Sequence, residues 1–203
     1  MNAKALKAYE EKGYAIIDNF IPEKIAIELF EIYNKNEEWA LHDQVREHHY
    51  KHVFATKNPN LSRPDEIYKA RFDRSNTLEQ MEYVQSVFKK YFVPQLNEFS
   101  KKSLTQYDIR CYRLRQGHFY RTHIDDYVAD VGLNYYLSRE WSFDWGGLLH
   151  IASDDDLNFI DTIYPKFNRV VLLNHKKFRF PHFVSTVSEY ALKPRYTVVA
   201  FCK

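Results

Sequence analysis

YDIRCYRLRQGHFYRTHIDD, running from Tyr107 to Asp126, is the stretch on which the fold turns. It reads as a strand, a turn at Gln116-Gly117 and a second strand that ends in His123-Ile124-Asp125. On a strand, residues i and i+2 share a face. His123 and Asp125 are therefore presented side by side, while Asp126 faces the other way. An imidazole next to a carboxylate on the inner face of a barrel supplies two ligands of a facial metal site built from two histidines and one carboxylate.

Such a pair is a weak signal in a chain with nine histidines. The far end of the chain gives it weight. Phe180-Pro181-His182-Phe183-Val184 offers a second imidazole, and beyond it Arg195 opens the β-rich run RYTVVAF. His-x-Asp, a distal His and then a basic residue form an ordered set that chance seldom produces. His175 is a rival for the third ligand, but it stands beside Lys176-Lys177 and reads as a turn at a strand end. Lys193 is a rival cation. Pro194 breaks the strand directly after it, which favours Arg195.

Composition narrows the setting. The chain has 203 residues with no break in composition, so residues 1–203 are expected to form one domain, with helical support and a possible lid over 1–104 and a catalytic core over 105–203. Sixteen Tyr, fifteen Phe and only five Gly mark an ordered globular protein. A net charge of +2 calls for neither nucleic acid nor a membrane surface as partner. Cys111 and Cys202 are too few for a disulfide scaffold; two free thiols in a reducing, cytoplasmic compartment are expected. The N-terminal residues lack the apolar core of a secretory signal.

The first hundred residues read as mostly helical. A helix over 3–12 ends at Gly13, a strand follows over 14–20, and a helix begins near Pro22 and runs to about Trp39. Thr77 to Lys101 reads as a long helix with a buried stripe, kinked or divided at Pro94. Residues 40–74 read as irregular, and their long loop is a candidate lid over substrate. His42, His48, His49 and His52 within it lack a clean partner set and read as partly exposed side chains. From Tyr107 onward, eight short strands are expected at 107–115, 118–125, 130–138, 147–152, 157–163, 169–174, 183–188 and 195–202. The fold class is therefore α+β, mainly β: a double-stranded β-helix, or jelly roll, with N-terminal supporting helices.

With these residues placed, the chain resembles the iron(II)- and 2-oxoglutarate-dependent oxygenases, and within them the prolyl 4-hydroxylase-like branch. The resemblance covers about Tyr107 to Phe201, together with the N-terminal YAIIDNFIPEKIAIELFEIY. It rests on YRTHID, LNYYLS, WGGLL, HFVSTV and Arg195-Tyr196-Thr197. Leu148 departs from it, since an acidic residue is common there.

The resemblance implies iron(II), 2-oxoglutarate as co-substrate and dioxygen, with ascorbate as a supporting reductant. It implies His123, Asp125 and His182 as metal ligands and Arg195 as the anchor of the distal 2-oxoglutarate carboxylate. Thr197 is either a further contact or a β-favouring core residue. Tyr112 is either a hydrogen-bond donor to the co-substrate or a core tyrosine. Related halogenases lack the carboxylate ligand, so Asp125 favours hydroxylation. The implied activity is hydroxylation of an unactivated C–H bond in a prolyl or other amino-acid side chain of a peptide or protein. The alternatives are hydroxylation of a free amino acid or small metabolite and, from another class, a non-catalytic jelly-roll binding module. Nucleic acid is not an expected partner, and the oligomeric state is left open.

Overall fold

The computed structural model describes residues 3–43, 70–125, 128–152, 159–178 and 181–203. Three stretches of helix or strand open the chain: α1 (Ala3–Lys12), β1 (Tyr14–Ile17) and α2 (Glu23–Lys35). Two short strands follow, β2 (Ala40–Asp43) and β3 (Ala70–Arg74). A broken helical run leads on: α3 (Asn76–Gln80), α4 (Glu82–Val87), a π-helical turn (Phe88–Phe92) and α5 (Val93–Ser100). The remaining strands are β4 (Tyr107–Leu114), β5 (Phe119–His123), β6 (Val131–Tyr136), β7 (Leu149–Ala152), β8 (Phe159–Ile163), β9 (Arg169–Asn174), β10 (His182–Val184) and β11 (Arg195–Cys202).

All pairings are antiparallel, in the order β1-β9-β6-β11-β4-β3-β5-β10-β7-β8, with β2 on β3. The sheet rolls into a jelly roll. Its two faces follow from the period of two along each strand. On β11, Tyr196, Val198, Ala200 and Cys202 point into the core shared with the helices. The alternate residues Arg195, Thr197, Val199 and Phe201 line the internal cavity. On β6, Val131, Leu133 and Tyr135 join the same helical core. Leu29 and Tyr33 of α2 and Phe92 and Leu96 of the broken run close that core from outside. Burying a side chain of this size contributes about 1.5–3 kcal/mol.

Several expectations needed adjusting. The long helix is broken rather than continuous. Met81 adopts an extended conformation, and a π turn precedes α5, where Pro94 stands in the first turn. Proline has no N–H to donate there. The apolar stripe survives, with Val84, Val87, Phe88, Phe92, Leu96 and Phe99 buried. Helix α2 stops at Lys35, because Asn36 turns extended and its side chain donates to the Glu38 carbonyl and the Ser75 hydroxyl. The strand after Gly13 ends at Ile17, and Asn19 takes a left-handed conformation with φ 51°. The segment 40–74 is not irregular at its ends, where β2 and β3 form; β3 lies between β4 and β5 in the sheet. The proposed lid, His48, His49, His52 and Asp126 lie outside the described residues. No helix among the described residues is long and apolar enough to cross a membrane.

Candidate metal and co-substrate site

Strand β5 delivers His123 at its end, and Asp125 follows two residues on. Strand β10 begins with His182, which lies directly opposite His123 in the antiparallel register. The two imidazole centroids are 4.2 Å apart. One carboxylate oxygen of Asp125 lies 3.5 Å from His123 Nε2 and 3.4 Å from His182 Nε2. One ligand atom from each residue falls within a 4.8 Å cluster, and all three residues are largely buried. Bonds of about 2.1 Å to a common ion put neighbouring ligands roughly 3 Å apart. The donor set, two imidazoles and one carboxylate, is the set that suits iron(II) with open positions for further ligands.

The protonation pattern supports that use. His123 Nδ1 lies 2.8 Å from the Arg121 carbonyl, which can only accept. The proton therefore sits on Nδ1, leaving the Nε2 lone pair for a metal. Burial would push the Asp125 carboxyl up, but the adjoining His123 and His182 imidazoles hold it well below the usual carboxylate range. Burial would lower His123, and Asp125 with the Arg121 carbonyl raises it instead. His175, the rival third ligand, sits in the turn after β9 and stays outside this cluster.

The cluster opens into a cavity of about 540 Å³. Arg195, Thr197 and Tyr112 all line it. Arg195 is 3% exposed; its Nε has no partner, and its guanidinium lies over the Tyr136 ring, 4.9 Å from the centroid. A buried, unpaired cation at the end of an internal cavity is a site for an anion. Thr197 pairs across to Tyr112 on one side and Tyr136 on the other, and its buried Oγ1 also lacks a partner. The Tyr112 hydroxyl accepts from Arg110 Nη1 at 3.4 Å. These orphaned polar atoms, facing the same space as the His-Asp-His cluster, fit a dicarboxylate co-substrate.

Glycine lets the backbone pack closely against Arg195. Gly147, at φ 63°, lies against Arg195, where a Cβ would come within 3.1 Å of the arginine Cδ. At Gly146 a Cβ would meet the Thr186 carbonyl at 2.2 Å. The Gly-Gly pair read in the sequence thus serves close backbone packing beside Arg195.

The rival cation and the neighbouring basic side chains fall elsewhere. Lys193 is on the surface, paired with Glu140. His118 is buried but does not line the cavity, and His150 stacks on Phe183 with Nδ1 3.0 Å from the Thr162 hydroxyl. The Arg121 side chain is absent from the cavity wall, where its carbonyl rather than its charge serves the site. Cys111 and Cys202 are free and buried. Sequence reasoning missed Arg110 as a cavity residue and read His175 only as a rival metal ligand at a strand end. Arg110 was within reach, being two residues from Tyr112 on one strand face. His175 was not, because the chain folds it back from a turn.

Residues 107–203 match the family model described as the 2OG-Fe(II) oxygenase superfamily. A prolyl-4-hydroxylase from Pseudomonas putida aligns with TM-score 0.68 at 16% identity, covering 100% of this chain and 98% of its own. A prolyl hydroxylase from Trichoplax adhaerens, solved with a hypoxia inducible factor peptide fragment, aligns with TM-score 0.65 at 17% identity, covering 98% and 86%. The non-heme alpha ketoglutarate dependent epimerase SnoN of nogalamycin biosynthesis aligns with TM-score 0.69 at 9% identity, covering 98% and 81%. At these identities the likeness is one of fold. Among curated proteins, none matches this chain.

Proposed function

Residues 107–203 belong to the 2OG-Fe(II) oxygenase superfamily, and on that premise we propose that the protein hydroxylates an unactivated C–H bond of an amino-acid side chain, a prolyl side chain in a peptide being the first candidate. The observation that carries this reading is the buried His123-Asp125-His182 cluster facing Arg195 across one cavity. The prolyl hydroxylases among the structural relatives support the choice of substrate.

His123, Asp125 and His182 would hold the iron. The bound metal and 2-oxoglutarate supply the oxidation: with dioxygen the oxo acid becomes succinate and CO2, and one oxygen atom enters the C–H bond. The chain's own residues do the rest. Arg195 holds the distal carboxylate in a charge-assisted pair, and Tyr136 flanks it. Thr197 and Tyr112 add hydroxyl contacts along the same wall. The Arg121 carbonyl fixes the His123 ring so that Nε2 faces the metal. Leu149, Leu173 and Val184 supply an apolar stretch of the wall, which would limit water at the reacting centre.

Succinate formation from 2-oxoglutarate tests the reading. Iron(II)-loaded protein is assayed in air with ascorbate, across prolyl peptides and free amino acids, beside His182→Ala. Substrate-dependent succinate that disappears in the variant is expected. No succinate, together with no metal-dependent binding of 2-oxoglutarate, supports the binding-module alternative instead. A second reading, oxidation of a free amino acid or small metabolite, is favoured by Arg110, a cation in the cavity wall remote from Arg195.

A further inference from the structure

The strand registers give the cavity a graded wall. On β11, Arg195, Thr197, Val199 and Phe201 face inward in turn. Strand β4 sets Arg110 opposite Val199. Strand β6 sets Asn134 opposite Val199 and Gly132 opposite Phe201. Arg110 therefore stands four residues along the strand from the level of Arg195. At the rise of an extended chain this is about 13 Å. A five-carbon oxo acid held at Arg195 is too short to reach both cations, at roughly 1.5 Å per carbon–carbon bond.

Arg110 is oriented for a ligand. The Asp108 carboxylate accepts from its Nε at 3.1 Å and its Nη2 at 2.6 Å. The guanidinium stacks on Phe201, 4.6 Å from the ring centroid. Nη1 is left on the cavity side, with only the long contact to Tyr112. Asp108 is half exposed, so it directs the fork without sealing it from the cavity.

An independent observation points to the same region. His175 leaves the end of β9 and folds over Gly132, where a Cβ would come within 2.3 Å of its Nε2. The imidazole is 4% exposed, lines the cavity, and has no hydrogen-bond partner on either nitrogen. Buried polar groups are nearly always paired, and the exceptions cluster where a ligand completes them. Its ring centroid is 6.1 Å from that of His182, so it borders the metal cluster without joining it.

We infer that the outer part of the cavity is a substrate pocket for a compound carrying a carboxylate, with Arg110 as its charge partner and His175 as a hydrogen-bond partner to the same compound. This rests on the oxygenase reading. The carboxylate comes either from a free amino acid or from an acidic side chain beside the target residue in a peptide. A neutral prolyl peptide does not use the pocket.

The test uses the full iron(II)-loaded chain and measures succinate release and product together. Three sets are compared: free amino acids, the same amino acids as amides, and peptide pairs with Asp or Asn next to the target. The expected result is stimulation by carboxylate members over their neutral counterparts by about tenfold or more. Arg110→Gln raises KM for the carboxylate member by about tenfold and leaves KM for its neutral counterpart unchanged, with Arg110→Lys in between. His175→Phe, which keeps an aromatic ring but removes both ring nitrogens, produces succinate in excess of product. Which set responds identifies the source of the carboxylate. Neutral members that work as well as acids, a panel in which none works, or Arg110→Gln that harms acid and amide alike each overturn the inference. Calorimetry of 2-oxoglutarate with Mn(II)-loaded protein is the separate arm. No binding there overturns the oxygenase reading itself, whereas binding with a preference for neutral substrates overturns only this pocket.

Discussion

His182 lies directly across the β5–β10 ladder from His123, so two residues far apart in the chain offer their Nε2 atoms to one carboxylate oxygen of Asp125. The ladder hydrogen bonds, not the side chains, set this spacing. Replacing one ligand therefore leaves the sheet intact. His123→Ala, Asp125→Ala and His182→Ala are each expected to keep the wild-type circular dichroism spectrum. Each is expected to lose more than the 10–100-fold in metal affinity typical of outer-shell changes, with turnover abolished. Mn(II) titration and succinate assay check this.

Arg195 is expected to set the 2-oxoglutarate requirement. Its cation is buried and faces the cavity without a carboxylate partner. Hydrogen bonds to charged groups are worth about 1.5–3 kcal/mol, so Arg195→Gln should raise the KM for 2-oxoglutarate by about ten- to a hundredfold. Steady-state kinetics with the co-substrate varied is the measurement.

Gly147→Ala is expected to act on that same anchor from outside the ligand set. Its Cβ would press on Arg195 Cδ at 3.1 Å and on Val187 Cγ2 at 3.2 Å, at a φ of 63°. The left-handed conformation alone costs about 1–2 kcal/mol with a side chain. Gly117→Ala is the control, because φ is 77° there but nothing lies within 4 Å of the added methyl. Both variants should lose stability in urea, and only Gly147→Ala should also weaken 2-oxoglutarate binding.

Asp18 ties the end of β1 to the start of β9, accepting from Arg169 and Lys166. The Arg169 hydrogen bond, opposed by burial and reinforced by Lys166, lowers its carboxyl to about 2. A carboxyl depressed in the folded state adds stability above its unfolded value of about 4, and that stability is lost as pH falls through 2. Asp18→Asn should therefore be less stable than wild type at pH 7, by under about 1 kcal/mol because the pair is partly exposed. The gap should close between pH 5 and pH 2 in urea unfolding series.

The two thiols are expected to be inert in the folded protein. Burial pushes both Cys111 and Cys202 up to about 12, and Cys111 also accepts from the Tyr33 hydroxyl at 2.7 Å. The thiolate is the reactive form. Labelling by a thiol reagent at pH 8 should be negligible until denaturant is added, when two equivalents react.

Much of the fold was legible because strand periodicity leaves a plain trace. The eight strands from Tyr107 onward stand where alternation and turn residues placed them, to within a few residues. Strand β3 was not legible. ARFDR is short and mixed in character, and it becomes a strand only because β4 and β5 offer open edges on either side. The break at Met81 and the π turn before α5 were likewise hidden, since an apolar stripe at helical spacing does not register where backbone hydrogen bonds change pattern.

The sequence by itself determined which side chains share a strand face: Arg195 with Thr197, Leu133 with Tyr135. That follows from the fixed two-residue period of a strand and needs no partner. Only the tertiary structure decided which faces meet. It set His182 against His123, stacked Arg110 on Phe201, and folded His175 over Gly132 into the cavity. Those juxtapositions depend on strand order, register and the path of a turn. They are fixed by hydrogen bonding and packing between segments distant in the chain, which no local pattern encodes.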